Sequence, residues 1–181
     1  QKLDEFIEKN AKSQLVIDAY EMLVKVASEE GRREKDDLQR TKNFNAAVGA
    51  IKKLRAHRKT QAELDILDLR SADVMVSRME AEEAMNLKDK AEETCRLAVA
   101  AFQAYLMSHE PTEEHPAKDM TPAQLANLER CYGTVLPLMA RLGKDQSELI
   151  LKYGAIYQEL FPNGKRKTAV QNALNQAQAD K

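Results

Sequence analysis

The chain has 181 residues, with 28 Lys and Arg against 29 Asp and Glu for a net charge of −1, and no Trp. That balance excludes a globally basic nucleic-acid protein but leaves room for a local basic patch, and the length suits one domain or a small domain with an appendage. Charged residues at 31%, aromatic residues at 5%, 6 Gly and 5 Pro point to an all-α fold of long helices packed through stripes rather than a thick globular core.

No apolar run approaches the roughly 18 residues that a bilayer span needs, so no membrane insertion is expected. The charged N-terminal stretch does not read as a signal peptide. Cys95 and Cys131 alone cannot build a disulfide framework or a zinc site. The chain reads as soluble and suited to a reducing, cytoplasmic compartment.

All the prolines lie at or beyond Pro111. Because proline breaks helix interiors, residues 1–107 are expected to form a long helical arm with a break near Gly31. A first helix is predicted from about Leu3 to Glu30, carrying Phe6, Leu15, Tyr20, Leu23 and Val26. A second begins near Glu34 and continues toward Met107. In it Phe44, Ala47, Ile51 and Leu54 recur at helical spacing, and Ala84, Leu87, Ala91, Cys95, Ala98, Phe102 and Tyr105 form another stripe. Unbroken, about 70 residues at 1.5 Å each would span roughly 100 Å, so this helix must bend back, pair with a partner or project into solvent. Ser71 and Asp73 offer caps for a break near residues 69–72.

Residues 108–121 read as a loop, and residues 122–181 as a small helical C-terminal region. Thr121, Pro122 and Gln124 supply an N-cap, a first-turn proline and a capping-box partner. Gly133 and Pro137 predict a kink or stop in that helix, and Gly143 suits a C-terminal cap. Further helices are expected from Asp145 to Phe161 and over residues 166–178.

The near-neutral total hides a strong pattern. Residues 1–31 sum to −3, residues 32–59 to +7 and residues 60–93 to −6. The positive block ends in Lys52, Lys53, Arg55, Arg58 and Lys59, with Lys42 beside them on the helix surface. Lys52, Arg55 and Lys59 fall on adjacent rows away from the Phe44–Ile51–Leu54 stripe, and Arg58 falls on the stripe and ends it. Cations on an open helix face suit a phosphate backbone, which needs no base readout. A solvated helix face is the plain alternative. No aromatic residue interleaves with these cations, which argues against single-strand stacking.

Other candidates carry less. Lys165, Arg166 and Lys167 follow a turn and read as an exposed helix start. His109 and His115 lie among Glu110, Glu113 and Glu114, but their spacing matches no metal motif. Cys95 and Cys131 read as small core residues. The acids between 63 and 93 have no pocket on a helix, and Met75, Met79 and Met85 suit core filling or an adaptable contact. No catalytic residue, metal site or cofactor motif is found.

Several short segments occur in a familiar order. Asp4-Glu5-Phe6 precedes Ala19-Tyr20-Glu21, a charged turn, Phe44-Asn45-Ala46-Ala47, the basic stretch, and Leu69-Arg70-Ser71-Ala72-Asp73 with Met75 and Met79. This order resembles the helical part of the primase-like polymerase cofactor of coronaviruses and other nidoviruses. The likeness continues at Ala123 to Asn127 and at Tyr132 to Leu138, covering residues 4–138 with an apparent extra heptad near 52–68. It implies a helical pole flanking the RNA duplex that leaves a viral RNA polymerase, and a head contacting the polymerase and a small helical cofactor subunit. By position, Lys42, Lys52, Lys53, Arg55, Arg58 and Lys59 would hold phosphates. The family's head contains β-structure, whereas residues 144–178 here read as helical. Primase activity has been proposed for the family, but no catalytic site is visible in this sequence.

The expected function is thus that of a non-catalytic, RNA-binding processivity subunit in a cytoplasmic viral replication complex. The rival is a coiled-coil adaptor or assembly protein that binds only other helices, another copy of itself included as a homo-oligomer. The stripe from Ala84 to Tyr105 is expected in a helix–helix interface, either with residues 122–161 or with another chain. An adaptor should bury or pair the positive block; an RNA clamp must leave it open.

Overall fold

A computed structural model describes residues 5–6 and 14–180. The expected helix start near Leu3 lies outside the described residues. Among those described the fold is all-α, with no strand. Its helices are α1 (Gln14–Arg33), α2 (Asp37–Arg55), α3 (Gln61–Ala84), α4 (Lys88–His109), α5 (Pro122–Arg141), α6 (Ser147–Leu160) and α7 (Lys167–Ala179). None of them is long and apolar enough to cross a membrane.

The chain divides into two compact units, residues 1–94 and 95–181, with the boundary inside α4. In the first unit α1, α2 and α3 pack on one another. Their shared core holds Val16, Tyr20 and Val24 of α1, Phe44, Ala47, Ile51 and Leu54 of α2, and Leu67, Val74 and Ala81 of α3, with Phe6 packed against it. The Phe44–Leu54 stripe predicted from spacing is therefore the inner face of α2.

The single helix expected from Glu34 to Met107 is instead three helices. Two stops divide it. Thr60 is an N-cap whose hydroxyl accepts from the Glu63 N–H while the Glu63 carboxylate accepts from the Thr60 N–H, a complete capping box that starts α3. After α3, Asn86 takes a left-handed conformation, φ 60°. The Leu87 N–H then reaches Glu82 O at 2.9 Å and the Asn86 N–H reaches Glu83 O at 2.8 Å, the paired bonds of a Schellman end. No break occurs at 69–72, where α3 is continuous.

Gly31 is also not a break. It lies within α1, and a Cβ there would stand 2.8 Å from Phe44 Cε2. Its lack of a side chain allows α1 to approach α2 closely. The turn comes later, at residues 34–36, where the Asp36 side chain caps α2 by accepting from the Gln39 N–H at 2.7 Å.

In the second unit α5, α6 and α7 pack on one another. Thr121 and Gln124 form the expected capping box, and Gly143, φ 94°, follows the end of α5. The predicted stop at Gly133 or Pro137 does not occur, and α5 runs through both to Arg141. A proline inside a helix costs about 3 kcal/mol. Here it is flanked by the buried residues Val135, Leu136, Leu138 and Met139, whose burial, at about 1.5–3 kcal/mol per large apolar side chain, outweighs that cost. Gly133 again marks a close approach, because a Cβ there would stand 2.5 Å from the Arg166 stem.

Candidate nucleic-acid interface

The positive block occupies the last turn of α2 and the link to α3. Its placement has a local cause as well: Lys52, Lys53 and Arg55 sit at the C-terminal end of α2, where the helix dipole favours cations. What distinguishes them is the fate of each charge.

Four arginines of the block, Arg32, Arg40, Arg55 and Arg58, are committed to the fold, whereas Arg33 is exposed. Arg58 donates to Glu21 Oε1 at 2.9 Å and to Glu63 Oε1 at 3.4 Å, and Glu21 also pairs with Arg70. Glu21 of α1 thus ties the 56–60 link to α3. Arg55 pairs with Asp68 of α3. Arg40, 1% exposed, pairs with Asp37 at 2.5 Å, and Arg32 donates to Ser77 Oγ at 2.5 Å. The neighbouring acidic segments supply Glu21, Glu63 and Asp68 as partners.

The lysines are not committed in this way. Lys42, Lys52, Lys53 and Lys59 are all exposed, and among the described residues none forms an ion pair. The Lys53 ammonium stands 5.7 Å from the centroid of the Tyr20 ring, and the His57 ring lies 6.0 Å from the same ring. Of the six expected phosphate contacts, Arg55 and Arg58 are therefore engaged by carboxylates, while four lysines face solvent.

Two carboxylates in this unit are held below their ordinary range. The Glu63 carboxylate accepts backbone N–H bonds from Thr60 and Lys59, which favour its charged form. Asp37 is lowered first by its hydrogen bond from Lys90, a contact that ties α4 to α2.

The stripe expected at a helix–helix interface lies mostly inside the chain. Ala91, Cys95, Ala98, Phe102 and Tyr105 are buried. Cys95 Sγ donates to Leu138 O at 3.6 Å and Cys131 Sγ to Phe102 O at 3.4 Å, so this part of α4 is seated on α5. That is the first of the two expected alternatives. Ala84 and Leu87 do not belong to the same surface. Ala84 is exposed at the end of α3 and Leu87 lies in the link.

The Tyr132 hydroxyl donates to Glu110 at 2.7 Å, and its ionisation is pushed well up by burial and by that carboxylate. The His109 ring stacks on Tyr105 at 4.1 Å with Nδ1 2.8 Å from Tyr105 O. Among the described residues no group of His, Cys, Asp and Glu is arranged to hold a metal. Lys165, Arg166 and Lys167 are exposed at the start of α7, with the Arg166 N–H on Glu129 and Lys167 Nζ on Pro162 O.

In comparisons with known proteins, no family model, no curated protein and no solved structure matches the chain.

Proposed function

We propose that the protein is an RNA-binding, non-catalytic accessory subunit of a viral RNA polymerase complex that holds duplex RNA by its phosphates. The observation that carries this reading is the division of the positive block. Acidic neighbours engage Arg55 and Arg58, yet among the described residues Lys42, Lys52, Lys53 and Lys59 remain exposed without a carboxylate. Lysine is a flexible point charge that suits a phosphate without a fixed geometry. The resemblance to the nidovirus cofactor supplies the rest of the reading: the polymerase, a small helical cofactor subunit and the host cytoplasm.

The adaptor reading has one observation in its favour. Leu15, Met22 and Val26 are large, exposed residues that fall on one row of α1 at 100° per residue. Titration against one RNA duplex at several salt concentrations separates the two. Each phosphate neutralised releases counterions, so affinity for wild type should fall steeply as salt rises. Changing Lys42, Lys52, Lys53 and Lys59 together to Ala should flatten that slope, weaken every duplex equally and shorten polymerase extension. Changing Arg55 to Ala should leave the slope unchanged. Equal slopes for wild type and the quadruple variant would leave the adaptor standing.

A further inference from the structure

The geometry points to Gly49 as a positioning residue that lets a sugar–phosphate backbone lie close against α2, between the lysines. This rests on the RNA-binding reading above. Gly49 lies in the interior of α2, opposite the buried Phe44–Ala47–Ile51–Leu54 face. At 100° per residue, Lys42, Asn45, Lys52 and Lys53 all fall within about 60° of it. Lys52 and Lys53 lie one turn beyond, on either side of its row, and Lys42 lies two turns before.

Glycine is a poor residue for this place. In a helix interior it costs up to about 1 kcal/mol relative to Ala, and the other glycines of α1, α5 and α6 answer that cost with a contact. A Cβ on Gly31, Gly133 or Gly154 would strike Phe44, Arg166 or Leu174, but one on Gly49 would have nothing within 4 Å. No packing among the described residues calls for the missing side chain. The space it leaves lies on the surface whose cations form no ion pair among the described residues, so charge complementarity selects a polyanion as its occupant. Asn45 adds an exposed amide to the same face, able to donate to a phosphate oxygen or to accept from a 2′-hydroxyl.

A methyl group at position 49 would hold the backbone off without removing a charge. Gly49→Ala should therefore separate three quantities. The thermal midpoint should rise by roughly 2–6 °C, because a better helix former replaces glycine at an open site. Duplex RNA affinity should fall roughly three- to tenfold, the loss of about one hydrogen-bond-sized contact. The salt slope should stay that of wild type, because the number of phosphates neutralised is unchanged. Gly49→Leu should weaken binding further.

The experiment is a duplex RNA titration of wild type, Gly49→Ala and Gly49→Leu at several salt concentrations, with thermal melts and sedimentation of the same samples. Unchanged RNA affinity in both variants overturns the inference while leaving the RNA-binding reading in place. A change in self-association with no change in RNA affinity also overturns it, and assigns the face to a helix. Wild type that does not bind duplex RNA overturns the RNA-binding reading and this inference together.

Discussion

At the scale of single residues, position within a helix says little until the neighbour is known. Gly31 lies under the Phe44 ring, 1% exposed in the core of the first unit. A methyl group there must displace a ring with nowhere to go, so Gly31→Ala should destabilise by about 1–3 kcal/mol. Urea unfolding followed by circular dichroism measures this, and a variant as stable as wild type would mean that α1 and α2 are not in close contact there. The sequence identified Gly31 as special but assigned it the wrong cause. A helix breaker and a close approach both favour glycine, and only the partner distinguishes them. The cations were legible in a similar, incomplete way. Arg and Lys look alike in a charge count, whereas their carboxylate partners lie as far as 53 residues away in sequence, as for Lys90 and Asp37.

At the scale of elements, α2, α3 and α4 read as one helix because no proline separates them and their apolar stripes almost join. The actual stops are written in side-chain hydrogen bonds at Thr60 and Glu63 and in the left-handed backbone of Asn86. Thr-x-x-Glu is a start signal in any sequence, so the first stop was legible. A left-handed asparagine is less so, since Asn also occurs within helices. The box gives α3 a dependence on pH. The Glu63 carboxyl is depressed in the folded chain by the Thr60 and Lys59 N–H groups. Its contribution is therefore complete above the ordinary glutamate range and is lost as pH falls through the lowered folded value. Glu63→Gln keeps an acceptor at the same place but cannot titrate there. The variant should lose less stability than wild type between neutral and acid pH, read as the urea midpoint at each pH. Parallel curves would place the acid sensitivity in other carboxylates, of which Asp37 is the next candidate.

At the scale of the whole molecule, the all-α class followed from composition, and the capping box at Thr121 marked the start of α5, while Gly133 and Pro137 suggested a stop that α5 does not make. The core of the second unit was legible as a stripe, because Cys95, Ala98, Phe102 and Tyr105 recur at helical spacing. What the spacing left open was the partner. The hydrogen bonds of Cys95 and Cys131 to backbone carbonyls across α4 and α5 place it within the same chain. Phe102 is fully buried there, so Phe102→Ala should cost about 3–5 kcal/mol through lost burial and a residual cavity. Unfolding of the variant should shift to lower denaturant at any protein concentration. A shift that vanished on dilution would point to a face shared between chains.

The absence of Trp makes tyrosine the dominant intrinsic fluorophore of this protein, and its five tyrosines are unequally distributed. Tyr132, Tyr153 and Tyr157 cluster edge to ring in the second unit, where Tyr105 also lies. Tyr20 is the lone tyrosine of residues 1–94, and it is the ring beneath the Lys53 ammonium and beside His57. The chain therefore carries a built-in optical probe at its lysine face. With the other four tyrosines changed to Phe, the emission of Tyr20 would follow whatever draws Lys53 away, with no label attached.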